Sequence, residues 1–205
     1  MPFSHIPPFH ADEEEDEGKS VAAAAALPMQ KFLEARTILI FGPIDQKLAQ
    51  TVSTQLLYLD HINHDPIKIM INSPGGHVES GDTIHDLMQY VKSPVAVIGT
   101  GWVASAGTHI FLGAEKERRF CLPNTRFLIH QPSGGAQGRA GDIAIQAQEI
   151  VKMRERLARV IANRTGQPYE RVIEDIERDY WMNIEEATAY GILGKVVRSA
   201  DEVTF

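Results

Sequence analysis

The chain has 205 residues, 43% hydrophobic and 23% charged, with a formal net charge of −7. That is the composition of a soluble globular protein with one sizeable core; it argues against a broadly basic nucleic-acid surface, and no apolar run approaches the ~20 residues of a membrane span. Cys121 is the only cysteine, so no intrachain disulfide can form, which fits a reducing, cytoplasmic setting.

Residues 1–26 read as a disordered arm: prolines, an acidic run from Asp12 to Glu17 that supplies most of the net charge, then alanines. Met1 to His10 has no basic segment followed by an apolar core, so no secretory signal is expected. A single domain is expected over 27–205. Thr37 to Phe41 is β-branched and apolar, a strand ended by Gly42-Pro43. Asp45 can cap a helix through about Asn63, with Leu48, Val52, Leu56 and Leu59 at helical spacing. Ile67 to Ile71 is a second strand, stopped by Asn72-Ser73-Pro74-Gly75-Gly76. Ser80 to Val91 is a helix, Val95 to Ile98 a strand, Ala104 to Leu112 a helix, and Arg126 to Ile129 a short strand ending at His130.

Alternating strands and helices predict an α/β fold with mainly parallel strands, and the loops after strand ends are where chemistry gathers. Gly134 to Gly138 is glycine-rich and extended. Gly141 to about Arg164 follows as one long helix, with an apolar stripe through Ile143, Ala147, Ile150, Val151, Leu157, Val160 and Ile161. It is either a long core helix or a projecting arm that buries its stripe in another subunit; a chain this size covers so long a helix with difficulty. Pro168 to Asp179 holds another helix. Asn183 with Glu186 forms a capping-box pattern for a short helix stopped by Gly191.

Ser105 lies in a run of small residues at a strand-to-helix junction, and His130 and Asp179 follow it in the chain. A hydroxyl, an imidazole and a carboxylate are the groups that make serine a nucleophile. His130 would take the Ser105 proton, and Asp179 would hold the imidazole tautomer. Ala106, directly after the nucleophile, and Gly76, whose lack of a side chain permits close approach, can offer backbone N–H groups as an oxyanion hole. Position 103 is valine, so this is not a Gly-x-Ser-x-Gly elbow. Spacing alone does not separate this triad from a capping serine, a structural histidine and a solvated aspartate.

From about Thr37 to Val197 the chain resembles ClpP, the family of proteolytic subunits of the Clp protease. The matching stretches are Ile-Asn-Ser-Pro-Gly-Gly (71–76), Ala-Ser-Ala-Gly (104–107), Arg-Phe-Cys-Leu-Pro-Asn (119–124), Ile-His-Gln-Pro-Ser-Gly-Gly (129–135), Asp-Ile (142–143), Thr-Gly-Gln (165–167) and Glu-Arg-Asp (177–179). The resemblance implies a ClpP/crotonase-like spiral of β-β-α units with a projecting strand-plus-long-helix handle at about 131–164. It implies a serine endopeptidase with nucleophile Ser105, base His130, orienting acid Asp179 and oxyanion donors Gly76 and Ala106. An extended substrate would lie along Gly75, Gly76, Pro132 and Gly134. Glu177 and Arg178 match a ring-to-ring contact. The family forms heptameric rings stacked into a tetradecamer, fed with unfolded polypeptides by a hexameric Clp ATPase unfoldase. The chain has no P-loop, so ATP use would belong to that partner, and neither cofactor nor metal is expected of this chain.

Four departures from the family pattern stand out. The segment from Leu27 to Leu33, before the first strand, is short. Lys68 and Met70 stand where two tyrosines usually serve partner docking. His109 replaces an apolar residue, and Ala106 a common methionine. Lys68 and Met70 suggest a divergent paralogue that shares rings with a second ClpP paralogue. A mainly structural subunit of a mixed ring, or a crotonase-like acyl-CoA enzyme, are the alternatives; the intact Ser105, His130 and Asp179 argue against both.

Overall fold

The computed structural model describes residues 28–205. The acidic arm expected at 1–26 therefore lies outside the described residues. The chain divides after Ala35 into two units. In the first, residues 28–34 are helical. The second, Arg36–Phe205, carries everything that follows. Among the described residues no helix is long and apolar enough to cross a membrane.

Strands β1 (Thr37–Phe41), β2 (Ile67–Ser73) and β3 (Val95–Ala104) pair in parallel in that order. Helices α1 (Gln46–Ile62) and α2 (Val78–Tyr90) make the crossovers. The Asp45 side chain accepts from the Leu48 N–H and starts α1, whose Ala49, Val52, Leu56 and Leu59 face the core. Strand β2 alternates buried and half-buried residues, and its Ile67, Ile69 and Ile71 are fully buried. These isoleucines, with Ile38 and Ile40 of β1, form the floor against which the helices pack.

Strand β3 is the axis of the molecule. The sequence predicts it to end at Ile98; instead it runs to Ala104. Its pairing with β2 shifts register between Ile71 and Ser73, so that Ser73 lies opposite Val103. Gly101, at φ +62°, accommodates the bulge. The bend splits the far edge of β3 between two partners. Strand β4 (Arg119–Cys121) pairs with Val97–Gly99, and β5 (Arg126–Ile129) pairs with Trp102–Ala104. Strand β6 (Tyr180–Met182) then runs antiparallel to β5, and β7 (Lys195–Val196) completes the sheet beside β4. A short helix α3 (Ala106–Phe111) leaves the end of β3. It is shorter than the predicted helix because the bulged strand continues to Ala104. Helix α2 begins two residues earlier than expected, at Val78.

Helix α4 (Ala140–Thr165) has 26 residues and ends at Gly166 in the left-handed conformation. At 1.5 Å per residue it is about 39 Å long. Its two halves differ. Leu157, Ala158, Ile161 and Ala162 are buried, whereas Ile143, Ile145 and Val151 are exposed. Residues 131–137 approach α4 without pairing as a strand within this chain. The packed half is anchored by two arginines. Arg164 donates to the carbonyls of Leu112, Gly113 and Ala114 at the end of α3. Buried Arg119 donates to Ala114, Gly191, Ile192 and Arg164 carbonyls. Helices α5 (Tyr169–Asp175) and α6 (Ile184–Tyr190) follow; α6 begins in the expected Asn183–Glu186 capping box and ends at Gly191.

Candidate active site

Ser105 sits between β3 and α3 with φ 56° and ψ −121°, a conformation that L side chains rarely adopt. It is held there from both sides. Its N–H donates to the Leu128 carbonyl at 2.9 Å, and its carbonyl accepts from the His109 N–H at 3.0 Å. Thr108 braces the same junction. Its hydroxyl lies 2.7 Å from the Val103 carbonyl and 2.8 Å from that of Leu128, tying the ends of β3 and β5 together. The sequence reading missed Thr108, although a buried threonine one turn into a helix is a recognisable position for a backbone hydrogen bond. The Ser105 hydroxyl does not cap its own helix. It points to His130, with Oγ 2.8 Å from Nε2.

His130 directly follows β5. The antiparallel pairing of β6 puts Tyr180 opposite Ile129, and so brings the residue before Tyr180 beside the residue after Ile129. That register delivers Asp179, whose Oδ1 lies 2.9 Å from His130 Nδ1. With the proton on Nδ1 donated to Asp179, Nε2 is free to accept from the serine hydroxyl. The His130 side chain is 29% exposed and that of Asp179 is 64% exposed, so the relay opens to solvent in the single chain.

The loop after β2 closes the other side. Gly75 has φ +96°, and a Cβ there would stand 2.6 Å from Ser105 Cβ. No other residue type permits that approach without displacing the serine. Gly76, at φ +149°, is equally confined by the Ile44 carbonyl. Ile44 bridges this loop: its N–H donates to Gly75, and its carbonyl accepts from His77. Among the described residues, neither the Gly76 N–H nor the Ala106 N–H donates to a backbone carbonyl.

A pocket adjoins Ser105 and His130, lined mainly by Val78, Ala106, Ile129, Pro132, Leu157 and Ile161. The packed half of α4 forms one wall. Pro132 and Ser105 line the same pocket. Gly134 is farther along and packs against Ile150 of α4, where a Cβ would meet Ile150 Cδ1 at 3.1 Å. Glu177 is held within the chain: its carboxylate accepts from Arg154 at 2.8 Å, and its carbonyl from Gln131 at 2.9 Å. Arg178 is exposed. Met70 packs against a cluster of Ala96, Ile98, Phe120 and Val197, while Lys68 is half-buried on the same strand. Cys121 is buried, and burial raises its thiol to about 11, which leaves it unreactive at neutral pH. Among the described residues no cluster of histidine, cysteine and carboxylate groups could hold a metal ion.

This arrangement brings a hydroxyl, an imidazole and a carboxylate into hydrogen-bond contact in series, the groups that acyl transfer by serine requires. Comparison with known proteins is consistent in direction. A family model described as Clp protease matches residues 20–200. The ATP-dependent Clp protease proteolytic subunit 3 of Rhizobium etli is 52% identical over 197 residues, covering 94% of this chain and 99% of that one. Proteolytic subunit 2 of Pseudomonas aeruginosa is 48% identical, covering 94% and 96%. Among solved structures, ClpP1 from Listeria monocytogenes superposes with a TM-score of 0.77 at 52% identity, covering 86% of this chain and 99% of that one.

Proposed function

Because this chain belongs to the Clp protease family, we propose that it is a serine endopeptidase in which Ser105, His130 and Asp179 carry the reaction. The observation that supports this most directly is the 2.8 Å approach of Ser105 Oγ to His130 Nε2. Ser105 Oγ attacks the scissile carbonyl carbon, and its proton passes to Nε2. Asp179 holds the Nδ1–H tautomer and stabilises the imidazolium. The N–H groups of Ala106 and Gly76 receive the developing oxyanion. As the C–N bond breaks, Nε2 returns the proton to the leaving amine. Water then repeats the sequence on the acyl-serine, with His130 again as base, and frees the carboxylate product.

The family's architecture extends the reading to the assembly. The chain forms heptameric rings stacked in pairs. The exposed half of α4, with Ile143, Ile145 and Val151, buries its apolar side chains in that assembly. A Clp ATPase unfoldase delivers unfolded polypeptide to the enclosed sites. Met70, committed to packing inside this chain, gives docking on β2 a different character from that of a tyrosine pair.

The test is covalent labelling. The assembled protein is treated with a fluorophosphonate, and the adduct is mapped by mass spectrometry. Modification at Ser105 is expected. An assembled particle in which Ser105 stays unmodified would assign the chain a structural role instead.

A further inference from the structure

The pocket beside Ser105 takes its walls from three helices. Val78 comes from α2, Ala106, Thr108 and His109 from α3, and Leu157 and Ile161 from α4. Its width therefore depends on how those helices are held together. Helices α2 and α3 are joined directly. The rings of His85 and His109 stack with centroids 4.4 Å apart, and His85 Nδ1 lies 2.7 Å from the His109 carbonyl. Helix α4 is held differently. Arg164 grips the carbonyls at the end of α3, but Leu157 lies about 10 Å nearer the start of α4. The closer tie is Arg156, the residue before Leu157. It donates to Asp82 Oδ1 at 2.7 Å and, among the described residues, forms the only ion pair that joins α2 to α4. The same Oδ1 lies 2.8 Å from His109 Nε2. Asp82 stands one turn after Val78, on the same face of α2.

One carboxylate oxygen thus touches a wall residue of α3 and the neighbour of a wall residue of α4, one turn from the wall residue of α2. We propose that Asp82 is a positioning residue for peptide cleavage: by gathering α2, α3 and α4 at one oxygen it fixes the width of the pocket and limits the size of the substrate side chain seated there. The inference rests on the peptidase reading of Ser105. Asp82 touches no substrate in this role; it acts through His109 and Leu157. Without the carboxylate, the α4 wall at Leu157 loses its tie to α2 and can draw back. A bulky side chain then enters more readily, while a small one, never excluded, gains nothing. In a packed apolar pocket, a difference of one methylene is worth on the order of tenfold or more in rate.

The experiment compares two peptidyl diphenyl phosphonates on the assembled particle. They are identical except that one carries the phenylalanine and the other the alanine side chain next to phosphorus. The readout is the ratio of their rate constants for modifying Ser105, phenylalanine over alanine. Asp82→Ala should raise that ratio about tenfold, and Arg156→Met should move it in the same direction. Asp82→Asn, which keeps an acceptor oxygen for both partners, should hold the ratio within about twofold of wild type. A merely structural role would change both rates together and leave the ratio where it was. An unchanged or lowered ratio in Asp82→Ala overturns the inference, and so does a rise as large in Asp82→Asn. If Asp82→Ala does not fold, Arg156→Met, at an exposed side chain, decides on the same terms. If a plain fluorophosphonate modifies Ser105 but neither phosphonate does, the pocket does not receive the side chain, and the inference fails while the peptidase reading stands. If no reagent modifies Ser105, both fail.

Discussion

Two histidine–aspartate pairs flank helix α3, and their contact distances are nearly the same. His130 and Asp179 meet at 2.9 Å, and His109 and Asp82 at 2.8 Å. The first pair is open, with Asp179 64% exposed, and it ends on a serine hydroxyl. The second is enclosed, with Asp82 18% exposed and shared with an arginine, and it ends on an unmatched nitrogen. Pair geometry alone therefore does not distinguish a proton relay from a structural clamp. What the outer nitrogen faces, and how far water reaches, makes the difference.

Burial also separates their electrostatics. It works against charge on Asp82, but the hydrogen bonds from His109 and Arg156 outweigh it and hold that carboxyl well below the usual carboxylate range. Burial, and then the neighbouring His109, push the His85 imidazole down to about 4.

The sharpest way to break the contrast is to remove what terminates the first relay. Ser105→Ala should reduce peptide hydrolysis by ~10⁴-fold or more while leaving the chain folded. Turnover surviving in the purified variant would show that Ser105 is not the nucleophile. The second is to neutralise each aspartate in turn. Asp179→Asn should lower kcat by roughly 10³–10⁴-fold through loss of the productive tautomer, with stability changed by no more than about 0.5 kcal/mol at so exposed a site. Asp82→Ala should do the reverse, costing about 3 kcal/mol by leaving the His109 and Arg156 donors without their shared acceptor. Denaturant unfolding and peptide kinetics on both variants decide it, and matching profiles would erase the distinction.

The last effect is in acid. His85 in the unfolded chain takes a proton near its ordinary value of ~6.5, whereas in the folded chain it resists until about 4. Protonation thus favours unfolding. His85 contributes stability that is complete above about pH 6.5 and declines as pH falls towards 4, by about 3 kcal/mol in all. Asp82 stays ionised in the folded chain across that window, and its unfolded carboxyl, near the ordinary 3.8, adds slope only at the acid end, alike in wild type and variant. Unfolding free energies between pH 7 and 4.5 should fall more steeply for the wild type than for His85→Gln; parallel lines would exclude His85 as the source.

The parts of the site that depend on local chemistry were legible in the sequence. The Asp45 cap, the Asn183–Glu186 capping box and the Gly191 stop all appear as expected. The alternation of strands and helices announced a parallel sheet. Ser105, His130 and Asp179 could be singled out as residue types, but nothing in their spacing required them to meet. They meet because β5 pairs with the end of β3 and β6 folds back on β5, and register of that kind is set by long-range packing. The length of β3 was hidden for a related reason. The predicted strand stops at Ile98, before Gly99, yet Gly101 makes the bulge that lets it continue to Ala104, directly before Ser105. His109 stands out in the sequence only as a departure from an apolar position, because the sequence does not reveal that Asp82, in contact with it, and Arg156, which pairs with Asp82, come from two other helices.

The left-handed turn at Ser105 constrains position 105 from two directions. Holding φ at 56° costs on the order of 1–3 kcal/mol for a residue with a side chain. Glycine would relieve that cost and yield a firmer but inert protein, a trade of stability against activity located in one residue. Threonine carries the same hydroxyl, yet its branched Cβ is the kind least compatible with this backbone. The reaction demands a nucleophilic atom one carbon from Cβ's anchor point, and the turn demands no branching. Serine and cysteine alone meet both conditions, so a thiol is the one replacement that could leave a working nucleophile in this fold.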